Sequence, residues 1–375
     1  MLDRIELSGF KSIKKMELEL NSLNVLIGAN GAGKSNLISF FKMFNHMMSR
    51  NLQQYIGQSG YADALLYYGA KRTPQMTATL NFSTKSGVNY YYMRLVSAAQ
   101  GTLIFADEAV SFSNHKIEGI APLQSLGGGH KESCLIDDDS VPLIEGSKRN
   151  QKTAHVIKSI MQRWRVYHFH DTSSAAFIKN PHYIEDNKYL RHDAGNLAAF
   201  LFQMKQKNQP YYRRIVETIQ SVTPFFEDFI LYPSTDNLSI FLNWRERGGD
   251  PEMVFGPHQL SDGTLRLMAL ITLLLQPSLP DLIVIDEPEL GLHPYAISVL
   301  AALLKSISSK TQIIVSTQSV TLVDQLEPEN IVVVDREDNQ SVFRRLDVKK
   351  LDVWLEEYSL GELWEKNVLG GRPAR

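Results

Sequence analysis

Gly28-Ala29-Asn30-Gly31-Ala32-Gly33-Lys34-Ser35 has the make-up of a loop that closes around phosphate groups. Glycines let backbone N–H groups converge on phosphate oxygens, the lysine adds positive charge, and the serine hydroxyl suits a magnesium ion. Such a loop works when a strand enters it and a helix leaves it, because the helix N-terminus adds its dipole. Both elements are readable. Leu23 to Ile27 is a short apolar run, and from Asn36 to Met48 the residues Leu37, Ile38, Phe40, Phe41, Phe44 and Met48 recur near the helical period. Lys34 is the candidate for the β/γ-phosphates, and Ser35 for magnesium. Gly28, Asn30, Gly31, Gly33 and Asn36 are candidates for the rest of the cradle.

Asp281-Leu282-Ile283-Val284-Ile285-Asp286-Glu287-Pro288 is an apolar strand ending in adjacent carboxylates. Alone it reads as a strand running into an acidic turn. Beside a phosphate loop, Asp286 suits the magnesium shell and Glu287 a general base for an attacking water. Leu260-Ser261-Asp262-Gly263-Thr264 precedes the apolar run Leu265 to Leu275, so Ser261 and Gly263 stand at a helix start fit for phosphate. Ser261 or Asp262 can equally cap that helix, and the two roles are compatible. The chemistry implied is ATP hydrolysis with Mg²⁺.

These motifs resemble ABC-type ATPases of the branch that includes RecF, the SMC proteins and the overcoming-lysogenisation-defect (OLD) nucleases, in particular their compact relatives without a fused nuclease domain. The resemblance implies that Ser261 and Gly263 touch a γ-phosphate on the opposite protomer's P-loop, so that nucleotide joins two heads into a homodimer or a higher oligomer. The box Gly9-Phe10-Lys11-Ser12 is similar to that branch too, which places Lys11 and Ser12 beside the nucleotide and disfavours a transport role. Trp164 to Asp171, Gly195-Asn196-Leu197 and Tyr358 to Trp364 extend the likeness over nearly the whole chain. The sequence departs from the family signature at Asp262 and Thr264, the former adding a carboxylate near phosphates. In Val315-Ser316-Thr317-Gln318-Ser319, Gln318 replaces the switch histidine, keeping a hydrogen bond to the γ-phosphate but losing titration. Glu289 to Pro294 is the loop expected at the dimer interface, and no glutamine is assigned as magnesium sensor. OLD nucleases append a Toprim domain after the switch residue. The stretch after Gln318 is short for one, so nuclease or toxin activity is expected on a separate effector polypeptide.

The elements that must hold these residues follow from periodicity. Alternation at Met16, Leu18 and Leu20 and at Met76, Ala78, Leu80 and Phe82 predicts half-buried strands. Strands at Leu282–Ile285, Ile313–Val315 and Ile331–Val334, with helices between them, predict parallel α/β architecture. Helices are expected near Lys152–Trp164 and Gly195–Gln206. The fold reading is an α/β P-loop ABC-type ATPase head with a mixed sheet and an inserted helical subdomain. Its divisions are an N-terminal lobe over 1–100, a mainly helical insertion over 101–235, and a C-terminal lobe over 236–375. With 39 Lys and Arg against 41 Asp and Glu, the formal charge of −2 argues against a surface wrapped in nucleic acid. A local basic groove stays open. A lone Cys134, no signal-like N-terminus and no membrane-length apolar run point to a cytoplasmic protein.

Weaker signals have ordinary explanations beside them. His168, His170 and Asp171 offer metal ligands but lack a matched fourth, which favours a structural or interface role over zinc. Asp137-Asp138-Asp139 reads as a solvated loop or a cation site. Arg163-Trp164-Arg165, Tyr211 to Arg214 and Trp244 to Arg247 could hold DNA or be amphipathic surface. Trp354 and Trp364 are expected to dock on the parent domain. Two functions follow: a nucleotide switch in nucleic-acid work such as DNA repair or phage defence, or a scaffold that holds and releases an effector, with hydrolysis as timer.

Overall fold

The computed structural model describes residues 1–114, 121–136, 147–236 and 238–371. The acidic run 137–139 lies outside them. Six strands form a mixed sheet in the order Gln340–Arg345, Ile331–Glu337, Leu23–Ile27, Gln312–Thr317, Leu282–Asp286 and Trp164–Tyr167. The last five are parallel, and the first is antiparallel to its neighbour. A second six-stranded sheet is antiparallel, in the order Ile13–Glu19, Leu2–Phe10, Gln75–Thr84, Gly87–Ser97, Leu103–Asn114 and Gln124–Gly127.

Side-chain alternation divides the interior. Val25, Ile27, Ile283, Ile285, Ile313 and Val315 enter one core, while Leu26, Val284 and Ile314 enter the other. A parallel strand covered on both faces therefore reads as a continuous apolar run. The antiparallel sheet shows the contrasting pattern: Ile5 and Leu7 are buried, and Arg4, Glu6 and Ser8 between them are half-exposed. Helix Lys34–Met48 packs between the two sheets, joining Phe44 to Tyr91 of one and to Trp164 of the other in edge-on ring contacts. Such a buried aromatic anchors about 3–5 kcal/mol against truncation to alanine. On the opposite face of the mixed sheet, helix Asp262–Leu275 lies against helices Gln209–Val222 and Pro294–Ser308. It is buried from Leu267 to Leu275 without a break.

The middle of the chain is not one inserted helical body. Strands Leu103–Asn114 and Gln124–Gly127 extend the antiparallel sheet, and Trp164–Tyr167 forms the edge of the mixed sheet, so the expected division at 101–235 cuts through both. The helix expected up to Trp164 spans Ser147–Met161 instead. Trp164 starts a strand because its ring fills the space between Phe41, Phe44 and Phe82. Trp364 docks as expected at 7% exposure, whereas Trp354 is 47% exposed.

Candidate active site

Register brings the chemistry to one edge. Asp286 stands opposite Ser316, and Thr317 opposite Ile27, so the parallel strands end together and their loops leave side by side. The loop after Ile27 turns into its helix at Gly33, with φ 120°. A Cβ there would lie 2.0 Å from Ser341 Oγ, so a larger residue would push the loop off its support. Ser341 Oγ donates to Ala32 O at 2.5 Å and hydrogen-bonds Ser12 Oγ at 2.6 Å. Asn36 Nδ2 donates to the same Ser12 oxygen at 2.5 Å, and Lys11 Nζ donates to Ser39 Oγ at 3.0 Å. Lys11 and Ser12 thus sit against the first turns of the helix. Ser341, far along the sequence, had no motif to mark it.

Lys34 Nζ donates to Gly28 O at 2.6 Å and Ala29 O at 3.1 Å. Burial lowers its pKa, against the opposing pull of Glu287, Asp286 and Glu289. Gly31 and Ser35 stay exposed at the mouth of the loop. Across the edge, Ser316 Oγ donates to Asp286 Oδ1, and Gln318 Nε2 donates to Glu287 Oε1. Glu287 has φ 42°, a left-handed conformation costing about 1–3 kcal/mol in a residue with a side chain. Its N–H donates to Ser316 O at 2.9 Å, which holds it there. Motif reasoning gave Glu289 only as the start of the interface loop and assigned it no role in the site. Its Oε1 accepts from Thr317 Oγ1 at 2.5 Å and Gln318 N at 3.2 Å, its Oε2 is buried without a partner, and burial raises its pKa.

Ser261 Oγ accepts from Thr264 N at 3.1 Å, so the expected cap is real. Gly263 lies against the loop after Glu287, where a Cβ would come within 2.1 Å of Gly291 O. Arg266, one turn on, donates to Phe169 O, His170 O, Thr172 Oγ1 and Leu290 O. Among the described residues, neither Ser261 nor Gly263 hydrogen-bonds to the loop Gly28–Ser35.

The comparisons with known proteins agree with this geometry. A model described as an AAA ATPase domain matches residues 1–121. A second AAA-domain model, whose description also names the AbiEii toxin and a Type IV TA system, matches residues 143–324. The Old nuclease of Escherichia phage P2 is 24% identical over 94% of this chain and 62% of its own length. An SMC head, solved with the C-winged helix domain of ScpA, superposes with a TM-score of 0.59 at 16% identity, covering 94% of this chain and 99% of that one. These similarities together support an ABC/SMC/OLD-type ATPase. A Pyrococcus furiosus SMC head with an extended coiled coil, bound to the C-terminal domain of ScpA, shares the fold at a TM-score of 0.54 and 15% identity over 95% of this chain and 98% of that one. The chain spans 62% of the length of the phage nuclease.

In this fold the departures from the family pattern acquire physical explanations. Asp262 forms an ion pair with Lys179 at 3.0 Å, and Lys179 also donates to Thr172 O at 2.6 Å. That pairing, above all the hydrogen bond from Lys179, lowers the Asp262 pKa. The carboxylate at the signature is therefore balanced by a lysine that no local motif reveals. The His168 and His170 rings lie tilted against each other with centroids 3.9 Å apart, and His170 Nε2 meets the Asp286 carbonyl at 3.0 Å. Burial and then His170 push His168 down to about 4, so it is neutral. Asp171 is turned away, its Oδ1 accepting from Ser173 N at 3.0 Å. The only set of three His, Cys, Asp or Glu ligands gathered together among the described residues lies elsewhere, so this pair braces the end of the Asp286 strand. Trp164, Tyr212 and Trp244 are in the core, leaving the neighbouring arginines without those rings for base stacking.

Proposed function

We propose that the chain binds Mg-ATP and hydrolyses it in a site completed by a second copy of itself. The observation that carries this reading is the contact of Gln318 with Glu287 at the strand edge facing Lys34, while Ser261 bonds its own helix and Gly263 lies against the Gly291 loop, neither hydrogen-bonding to the Gly28–Ser35 loop among the described residues. The residues present fit the nucleotide: a glycine loop with left-handed backbone at Gly31 and Gly33, a lysine, a hydroxyl at Ser35 and a carboxylate at Asp286. Magnesium, held by Ser35 and Asp286, would neutralise phosphate charge. Lys34 binds the β/γ oxygens, and the N–H groups of Gly28, Asn30, Gly31 and Gly33 with the first helical turn at Asn36 cradle the phosphates. Lys11 and Ser12 support the nucleotide from the first hairpin. Glu287 takes the proton of the attacking water, and Gln318 orients both. Ser261 and Gly263 reach the γ-phosphate of the partner copy.

The resulting homodimer acts as a nucleotide-gated switch in nucleic-acid-associated work, in line with a nuclease relative and SMC-head neighbours. An effector protein in trans is a second reading, favoured by the ScpA domain that both SMC heads carry. Isolation of the Mg-ATP-trapped protein separates the two by whether nucleic acid or a polypeptide stays bound. The composite site is tested by mixing. Lys34→Ala and Ser261→Arg are each inactive alone, and the mixture regains ATP turnover because one mixed site unites an intact P-loop with an intact signature. A mixture as inactive as its components, with active wild type alongside, would falsify the shared site.

A further inference from the structure

At the outer end of the antiparallel sheet, Glu108 brings a carboxylate to zero exposure, where the nucleotide chemistry makes no use of it. No lysine or arginine among the described residues pairs with it. A buried anion costs several kcal/mol unless a cation or strong donors compensate. Tyr91 and Ser133 hydroxyls donate to Oε1 at 2.7 and 2.5 Å. Oε2 is left to His130 Nε2 at 3.0 Å and to the N–H of Cys134 at 2.8 Å. The carboxylate, imidazole and thiol ligand atoms all lie within 4.8 Å of one another.

We infer that Glu108, His130 and Cys134 bind one zinc ion. The donor set selects the metal. Oxygen, nitrogen and sulfur together suit Zn²⁺, whereas Mg²⁺ and Ca²⁺ take oxygen ligands. The two hydroxyls on Oε1 orient the carboxylate in the way outer hydrogen bonds orient metal ligands. The His130 ring is fixed by stacking on Phe105 at 4.8 Å, and its backbone by the bond from Phe105 N to His130 O at 2.9 Å. His130 and Cys134 are half-exposed, which leaves a fourth position for water. A nucleophilic role for Cys134 is disfavoured, because burial and then Glu108 push the thiol up to about 11 and keep it protonated without a cation. Glu132, between two of the ligands, accepts Leu52 N and Gln53 N at 3.1 Å each. Zinc here would clamp helix Leu52–Gln58, and so the base of the P-loop helix it packs on.

The test uses the whole purified chain, freed of metal with a chelator and kept without ATP and magnesium so that the nucleotide site does not contribute. Titration with Co²⁺ should give one equivalent of a thiolate-to-cobalt charge-transfer band, displaced by Zn²⁺. Cys134→Ser should lose the band, and Zn²⁺ affinity measured against a chromophoric chelator should fall more than about tenfold in Cys134→Ser and His130→Ala. Lys34→Ala should bind as wild type. Circular dichroism confirms folding, and Cys134→Ser, the milder change, remains informative if His130→Ala unfolds. No stoichiometric band in the wild type, or equal Zn²⁺ affinity in folded Cys134→Ser, overturns the site and leaves Glu108 as a hydrogen-bonded knot. ATP binding does not enter the readout, so failure here is distinguishable from failure of the ATPase reading.

Discussion

The P-loop edge and the signature corner are the two regions proposed to bind phosphate, and only at the first do distant segments of one chain meet. At the edge, residues separated by up to 329 positions touch: Ser12 meets Ser341, and Gln318 meets Glu287. At the corner, Ser261 bonds only its own helix, and Gly263 rests on Gly291. The difference is between a site whose members check one another's geometry and a surface that is rigid but faces outward. Rigidity at the corner comes from Arg266, whose guanidinium ties the signature helix both to the loop after Glu287 and to the segment beside His170. Partner-bound phosphate would thus report on the loop leading from Glu287.

The largest effect should come from breaking the self-contained edge. Lys34→Ala should abolish hydrolysis and sharply weaken ATP binding, since it removes the ammonium held inside the loop; unchanged turnover and nucleotide affinity in the purified variant would refute the edge assignment. Glu287→Gln separates edge from corner, keeping ATP binding while slowing turnover about 10²–10⁴-fold. It should then accumulate as an ATP-bound dimer. Sedimentation showing only monomer at saturating Mg-ATP would count against partner completion. Gln318→Ala should slow hydrolysis about 10–100-fold, as a hydrogen bond to a charged group contributes about 1.5–3 kcal/mol, while Gln318→His is tolerated. Alanine kinetics matching wild type across an ATP titration would remove Gln318 from the mechanism. The smallest effect belongs to the corner: Lys179→Met frees the Asp262 carboxylate to face the partner's phosphates, weakening ATP-driven dimerisation about two- to fivefold. Restoration by Asp262→Asn in the double variant is expected, and its absence would mean that Lys179 acts through Thr172 instead.

Local motifs made much of the edge legible. Gly28 to Ser35 and Asp286-Glu287 announce themselves because their roles require fixed residue types at fixed spacing next to a strand. Glu289 and Ser341 carry no such mark. A glutamate in an acidic turn and a serine in an edge strand become site residues only through the neighbours that folding supplies. The helix expected to run on to Trp164 shows the limit of periodicity, because a buried edge strand and a buried helical stretch both read as apolar near their ends.

Glycine, lysine and carboxylate spacing, with apolar runs before each loop, determined by itself that this chain builds a P-loop in a parallel sheet. Backbone geometry at such loops is a local property, and local sequence specifies it. Tertiary structure alone decided that Lys179 neutralises Asp262, that Gln318 pairs with Glu287, and that Glu108 gathers His130 and Cys134. Each of these depends on packing between distant segments, and a charge or hydrogen bond has no partner until the cores on either face of the mixed sheet have placed one beside it.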